Sequence, residues 1–339
     1  MIAHPAHVHF FKNLIWDMKK EGHEFHLMVK ERENTLTLLD LLGFEYETFG
    51  KTYSGKLGKG LGVIHNDLSL INKARKIDPD ITASIAGLYS VHAGSLLDAT
   101  TIDFTDTETA TFTNLLTFPC ADVIATPDCY RGRPPKNKHV TYRGYHELAY
   151  LHPKRFKPDR GVLKELGLKS KEYTIVRFSA MDASHQADER VLDRRERIDL
   201  VRLLDEYGPV IVNSEEPIPS PIREYEIDIP DHKFHDLLAF SRMYVGEGAT
   251  TASEAGVLGV PWIYLSNKNR GYLEDQELKY ELGAQITTSH ETFFTIRSIL
   301  EETINVDFKA ARSRLIKDKI DVTSWMKRLF KKIDSKSKP

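Results

Sequence analysis

The sequence predicts an α/β protein of two domains, each a parallel sheet covered by helices. Three observations lead there. Short apolar runs rich in β-branched and aromatic residues alternate with amphipathic stretches along most of the chain, which is the rhythm of βαβ units. At 339 residues the chain exceeds the span of one ordinary core. The alternation also breaks once, at the Pro-, Lys- and Arg-rich "YLHPKRFKPDRGVLKELGLKSKE", and then begins anew without a detectable sequence repeat. The expected division is residues 1–150, residues 151–312 and a tail from 313 to 339. Two such halves are expected to face each other across a cleft, where ligands meet the carboxyl ends of the strands.

The first half opens with "HVHFFKNLIWDMKKEGH", which puts Val8, Phe11, Leu14, Ile15 and Met18 on one face of a helix ending at Gly22. "EFHLMV" reads as a strand, "ENTLTLLDLLG" as a helix closed by Gly43, and "FEYETF" as a strand. "YSGKLGKGLG" reads as a glycine-rich loop and "VIHNDLSLINKARKIDPD" as a helix stopped at Pro79. "DITASI", a helix around "YSVHAGSLLDA", and the strands "TTIDFT" and "DVIATP" complete this half. Only Met1, Ile2 and Ala3 precede the first helix, fewer than the ~5–6 residues of a normal strand. The first strand is therefore expected to be a stub or truncated, with the reading frame continuing upstream.

After the linker and its short helix come "YTIVRFSA", a helix through "RERIDLVRLLDEYG", "PVIVNS", a strand "YEIDIP" and a helix through "HDLLAFS". "MYVGEG", the helix "TASEAGVLG", "PWIYLS" and "AQITTS" follow. The tail "RLIKDKIDVTSWMKRLFKKIDSKSKP" reads as one basic amphipathic helix, with Leu315, Ile316, Ile320, Trp325, Leu329, Phe330 and Ile333 as its apolar groups. It either packs back on the protein or touches a membrane surface.

A net charge of −2 gives no general attraction to nucleic acid or anionic membrane. Cys120 and Cys129 form no C-x-x-C pair and imply no disulfide framework. No apolar run approaches the ~18 residues of a membrane span, and no signal peptide is visible, so a cytoplasmic protein is expected.

The stretch "YVGEGATTASEAGVLGVPWIYLS" carries the most chemistry. A strand runs into Gly246 and Gly248, small and hydroxyl residues follow (Ala249, Thr250, Thr251, Ser253), and Glu254 sits near the start of a new helix. Free N–H groups and the helix dipole there favour a phosphate, and Glu254 is placed to accept hydrogen bonds from ribose hydroxyls. The alternative is structural, with Thr250 or Thr251 capping the helix and Glu254 supporting it. Arg177, at a strand end, can fork onto a diphosphate or pair with a carboxylate. Ser179, Asp182, His185, Ser214 and Glu215 follow strand ends in the same half. In the first half Asp103, Asp106 and Glu108 follow a strand, with Asn114 behind them; they suit acid–base work or form a solvated, capping turn. His4, His7 and His9 open the chain as a metal site, a phosphate loop or a plain turn.

"GEGATTASEAGVLGVP" resembles the donor segment of GT-B glycosyltransferases, most of all the UDP-N-acetylglucosamine transferases of peptidoglycan synthesis. That resemblance implies two Rossmann-like domains and a C-terminal helix crossing back. It also implies a donor held by Gly248, Thr250, Thr251 and Glu254, with His7 as general base. "TIDFTDTETATFTNLLTFPCADVIATP" is similar to the non-hydrolysing UDP-N-acetylglucosamine 2-epimerases, which implies Asp106 and Glu108 as acid or base. Over nearly its whole length, through "HPAHVHFFKNLI", "YRGYHELAYLHP", "VRFSAMDASHQ" and "KYELGA", the chain resembles a prokaryotic GT-B-like family of unassigned function.

The expected function is transfer of a sugar from a nucleotide donor, expected to be UDP-linked, to an acceptor that the sequence does not name, a lipid-linked one among the options. The alternatives are an epimerase acting on the UDP-sugar, or a non-catalytic nucleotide-sugar-binding protein. No cofactor, metal or nucleic acid is expected. "HVH" resembles the metal motif of amidohydrolase barrels, but His7 and His9 at a helix start would point apart.

Overall fold

The computed structural model describes residues 1–50, 56–179, 191–214, 217–227, 229–301, 303 and 306–337. Asp182, His185, Glu215 and residues 53–55 of the glycine-rich stretch lie outside the described residues. The chain divides into two compact units, Met1–Tyr150 with Ile320–Pro339, and Leu151–Lys319.

In the first unit α1 (Pro5–Lys19) begins earlier than the apolar spacing suggests. Pro5 is pre-set for the first helical turn, and the His4 side chain caps it by accepting the Ala6 N–H. β1 (Met28–Lys30), α2 (Glu33–Leu41), β2 (Glu47–Phe49), α3 (Lys56–Ile77), β3 (Ile81–Ile85), α4 (Leu88–Leu96) and β4 (Thr100–Phe104) follow. Helix α3 takes in Lys56–Gly62, which the glycines had suggested as loop. Next come α5 (Thr111–Thr117), β5 (Val123–Pro127), β6 (His139–Tyr142) and a short 3-10 helix, His146–Ala149.

Strands β3-β4-β5-β6 form one parallel sheet and β1-β2 a parallel pair. Ile2 bridges Val29 in parallel, and the Met1 nitrogen donates to the Ala83 carbonyl at 2.7 Å. The short N-terminal segment thus stands between β1 and β3. Counted with it, the order is that of a Rossmann-like sheet. Phe10, Leu14, Ile102, Phe104 and Ile124 are fully buried in this unit.

The second unit contains α6 (Gly161–Glu165), β7 (Thr174–Phe178), α7 (Arg194–Asp205), β8 (Val210–Ser214), α8 (Phe234–Phe240), β9 (Met243–Gly246) and α9 (Ala249–Leu258). β10 (Trp262–Leu265), α10 (Gly271–Tyr280), β11 (Gly283–Ile286), α11 (Ser289–Leu300) and α12 (Phe308–Asp318) complete it. Its five strands are parallel in the order β8-β7-β9-β10-β11. Val176, Val212, Val245 and Ile263 from four of them share one core. Both faces of such a sheet are covered by helices, which is why its strands read as near-continuous apolar runs.

Among the described residues of "YEIDIP" no strand forms. Pro219 and Pro221 favour a 3-10 helix over Ser220–Tyr225, and only an isolated bridge joins Glu226 to Val212.

The tail is two helices. The chain breaks after α12, where Lys319 is buried on Asp275 at 2.8 Å, and Asp321 then accepts the Ser324 N–H at the start of α13 (Val322–Ser337). Residues 313–319 therefore belong to the second unit, and α13 returns to pack on α1. Its apolar face is spent inside the protein: Val322, Met326, Phe330 and Ile333 are buried, and Lys327 and Lys331 both hold Glu21. Among the described residues no helix is long and apolar enough to cross a membrane.

Candidate functional site

The strand order of the second unit reverses between β7 and β9, and in doubly wound sheets ligands bind outside the carboxyl ends at such a point. Arg177 lies near the end of β7, and Gly246 and Gly248 mark the end of β9 and the turn after it. Gly248 is the N-cap of α9 and makes no side-chain cap; the Tyr244 hydroxyl accepts its N–H and donates to its carbonyl. Thr250 stands half-buried and Thr251 buried in the first turn, and the Arg177 guanidinium points at the Thr251 hydroxyl from 3.5 Å. Neither threonine is the cap, because α9 starts at Ala249.

That early start also moves Glu254. It is the sixth helical residue, two positions deeper than its sequence position implies, and it is buried. Its Oε1 lies 2.8 Å from Nε2 of His235 on α8. Ser179 follows β7 and Ser214 ends β8, both half-buried, and the Ser179 N–H donates to Glu247.

Glu247 and its partner Arg197 were not anticipated. Arg197 reaches Glu247 Oε1 at 2.6 Å, the second oxygen accepts the Ser179 N–H at 2.9 Å, and the Glu247 N–H donates to the Arg177 carbonyl. One carboxylate therefore ties the ends of β7 and β9 together. The signal was its place between two glycines at a strand end.

In the first unit His7 lies in the first turn of α1, half-buried, and its Nδ1 accepts the Ala3 N–H at 3.4 Å. Burial first, then His4 and His146, lower its pKa to about 3, so the ring is neutral at pH 7. His9 is buried and stacks on Tyr150 with centroids 5.3 Å apart. Thus His4 caps the helix and His9 packs, while His7 takes the Ala3 N–H with its ring 6.1 Å from that of His4. Among the described residues no group of three His, Cys, Asp or Glu side chains is arranged to hold a metal. Among the described residues the parallel strands form open sheets, not the barrel of an amidohydrolase.

The acidic stretch after β4 does converge with histidine. Asp106 Oδ2 lies 3.0 Å from His146 Nδ1, and Oδ1 accepts the Thr107 hydroxyl at 2.9 Å. Glu108 accepts the Arg131 N–H, and Asn114 donates to the Tyr130 hydroxyl. Neither Asp106 nor Thr107 caps α5, whose N-cap is Ala110. Asp103 is fully buried with Oδ1 on the Gly87 N–H at 3.0 Å, and burial raises its pKa to about 7.

Among solved structures, the UDP-N-acetylglucosamine 2-epimerase from Rickettsia bellii matches with a TM-score of 0.69 at 14% identity, covering 98% of this chain and 96% of that one. The UDP-GlcNAc 2-epimerase from Neisseria meningitidis bound to UDP-GlcNAc gives 0.66 at 11% identity over 99% and 98%. Spinosyn forosaminyltransferase SpnP gives 0.65 at 14% identity over 98% of each chain. At such identities the likeness is one of fold, and the fold is GT-B-like, mixed α/β with parallel sheets. An uncharacterized protein of Methanocaldococcus jannaschii is 24% identical over 271 residues, 77% of this chain and 79% of that one. The chain belongs to the family described as "Protein of unknown function (DUF354)", which matches residues 1–281.

Proposed function

We propose that the protein is a sugar transferase that binds a nucleotide sugar, UDP-linked, at the β7/β9 switch point. The carrying observation is the α9 start at Gly248, without a side-chain cap, beside Arg177 at the point where the strand order reverses. In this reading the α9 N–H groups and the Arg177 guanidinium meet the diphosphate, with Thr250, Thr251, Ser179 and Ser214 around it. Glu254 acts from beneath, fixing α9 through His235. The Neisseria meningitidis neighbour bound to UDP-GlcNAc supports a uridine nucleotide as the first donor to try. The reading needs no metal.

Titration calorimetry with UDP and UDP-GlcNAc tests it. Arg177→Ala is expected to weaken binding about tenfold or more, the size of one charge-assisted contact. Absence of binding by uridine, guanosine, adenosine and thymidine diphosphates alike would remove the site.

A second reading, epimerisation of the UDP-sugar, is favoured by the acidic groups after β4, where Asp103, Asp106 and Glu108 offer carboxylates for taking and returning a proton. An acceptor-free assay separates the two, since an epimerase converts UDP-GlcNAc alone. Binding without any turnover would leave a nucleotide-sugar-binding protein.

A further inference from the structure

Strand β9 runs out through "YVGEG", in which Tyr244, Gly246 and Gly248 recur at every second position. Tyr244 and Gly246 stand on one face of the strand, and Gly248 follows two residues on. A Cβ on Gly246 would lie 2.8 Å from the Tyr244 hydroxyl, and one on Gly248 would lie 3.0 Å from it. Both glycines therefore leave the room in which this hydroxyl lies. It accepts the Gly248 N–H at 3.2 Å and donates to the Gly248 carbonyl at 3.1 Å. The same carbonyl accepts the Ala252 N–H at 3.0 Å as α9 begins. Burial raises the Tyr244 pKa well above its ordinary value, so the hydroxyl keeps its proton and can donate and accept at once.

A helix start is ordinarily closed by the N-cap side chain, which bonds the free N–H groups of the first turn. Gly248 has no such side chain. The tyrosine holds the cap residue by its two backbone groups instead. The N–H groups of Ala249, Thr250 and Thr251 are left without a carbonyl partner in their own helix. On the neighbouring strand Arg177 is the register partner of Gly246. Its Cδ lies 3.4 Å from where a Gly248 Cβ would stand, and its guanidinium 3.5 Å from the Thr251 hydroxyl. All of these residues belong to the second unit.

We propose that Tyr244 is a positioning residue for the diphosphate of the donor, fixing the Gly248 turn so that the first N–H groups of α9 and Arg177 meet one anion; this rests on the nucleotide-sugar reading above. The Gly248 N–H is spent on the tyrosine and takes no part in binding. Tyr244 acts from beneath the turn and touches no ligand atom. A seat fixed before the ligand arrives binds more tightly than one the ligand must order.

The test uses the full chain, with UDP followed by titration calorimetry and inorganic pyrophosphate as its competitor. Tyr244→Phe removes the hydroxyl and keeps the ring. It is expected to weaken UDP and pyrophosphate by the same factor, about three- to tenfold, the worth of one neutral hydrogen bond. Tyr173→Phe is the control. Tyr173 is also buried, it precedes β7 at the end opposite Arg177, and its hydroxyl donates to the Leu237 carbonyl. Both variants should lose stability, and only Tyr244→Phe should lose affinity in the folded protein. Amide hydrogen exchange reads the wild type alone. The Gly248 N–H should exchange about tenfold or more slower than those of Ala249 and Thr250, and UDP should slow those two while leaving Gly248 little changed. If Tyr244→Phe fails to fold, this exchange pattern decides.

Unchanged UDP affinity in Tyr244→Phe, an equal loss in Tyr173→Phe, a loss confined to UDP, or a Gly248 N–H that exchanges as fast as its neighbours would each overturn the proposal and leave UDP binding standing. So would bound UDP that pyrophosphate fails to displace, because the diphosphate would then sit elsewhere. A wild type that binds no UDP would overturn the functional reading, and this role of Tyr244 with it.

Discussion

His235 Nε2 meets Glu254 Oε1 at 2.8 Å, and both side chains are buried. The contact joins α8 to α9 from beneath, so Glu254 serves the empty fold. Glu254→Gln keeps the shape and removes the charge, and should cost about 1.5–3 kcal/mol, the worth of a hydrogen bond to a charged group. Urea unfolding measures the loss. UDP affinity of the folded fraction should stay close to wild type. The reverse pattern, full stability with affinity lost, would mean that the carboxylate reaches a ribose.

His7 and Asp103 give the first unit two opposed pH dependences. His7 titrates near 6.5 when unfolded and about 3 when folded, because burial disfavours its charged form. Between those values the unfolded chain binds the extra proton, so stability rises with pH. Asp103 moves from 3.8 to about 7, again chiefly by burial. There the folded chain binds the extra proton, so stability falls as pH rises. Each slope is at most about 1.4 kcal/mol per pH unit, and they largely cancel where the windows overlap. His7→Gln should leave stability falling from about pH 4 to 6.5, and Asp103→Asn should leave it rising over that range. Unfolding free energies across that range would refute the pair of shifts if both variants stayed flat.

The fold was largely legible because strands buried on both faces leave apolar runs that alternation exposes, as in Ile81–Ile85 and Thr174–Phe178. What escaped was short or locally polar. Strand β6, over His139–Tyr142, carries two polar residues in four, and the seven residues of α5 are too few for a helical period to show. Helix starts were late at both sites of interest, since Pro5 and Ala249 begin helices that the apolar spacing joins only at Val8 and Thr251. A two-residue shift turns a side chain by about half the helix circumference, which is how Glu254 went from ligand-facing to buried. The His146–Asp106 and Arg197–Glu247 pairs have no sequence period at all, because sheet topology brings them together.

The two glycines of the β9 turn should respond differently to alanine. A Cβ on Gly246 would stand 2.3 Å from the Arg177 carbonyl oxygen and 3.0 Å from its nitrogen, and backbone in a parallel ladder cannot yield. Gly246→Ala should cost about 1–3 kcal/mol or more and weaken UDP binding by displacing Arg177. On Gly248 the nearest atoms are the Tyr244 hydroxyl at 3.0 Å and the Arg177 Cδ at 3.4 Å, both side-chain atoms. Gly248→Ala should fold with a smaller loss. Thermal melting of the two variants side by side checks the order.

Arg197 and Glu247 form the pair on which the second unit's candidate site depends most. The guanidinium lies 2.6 Å from one carboxylate oxygen, its centre 4.9 Å from the Phe178 ring, and both side chains are largely buried. Truncating one partner strands a charge. Arg197→Met should therefore cost about 3–5 kcal/mol, because the buried Glu247 carboxylate would lose its 2.6 Å contact with the Arg197 guanidinium. With the Arg197 charge gone, the Glu247 carboxylate next to the Gly248 turn would repel a diphosphate more strongly, so UDP affinity should fall with stability. Removing both charges is a different matter. The double variant Arg197→Met, Glu247→Gln leaves no stranded charge, and the glutamine carbonyl can still accept the Ser179 N–H. It should recover at least about 1 kcal/mol over the sum of the single losses, the sign of direct coupling. UDP affinity should recover in step, provided the lost binding came from repulsion. Additive losses would mean that the pair is not coupled.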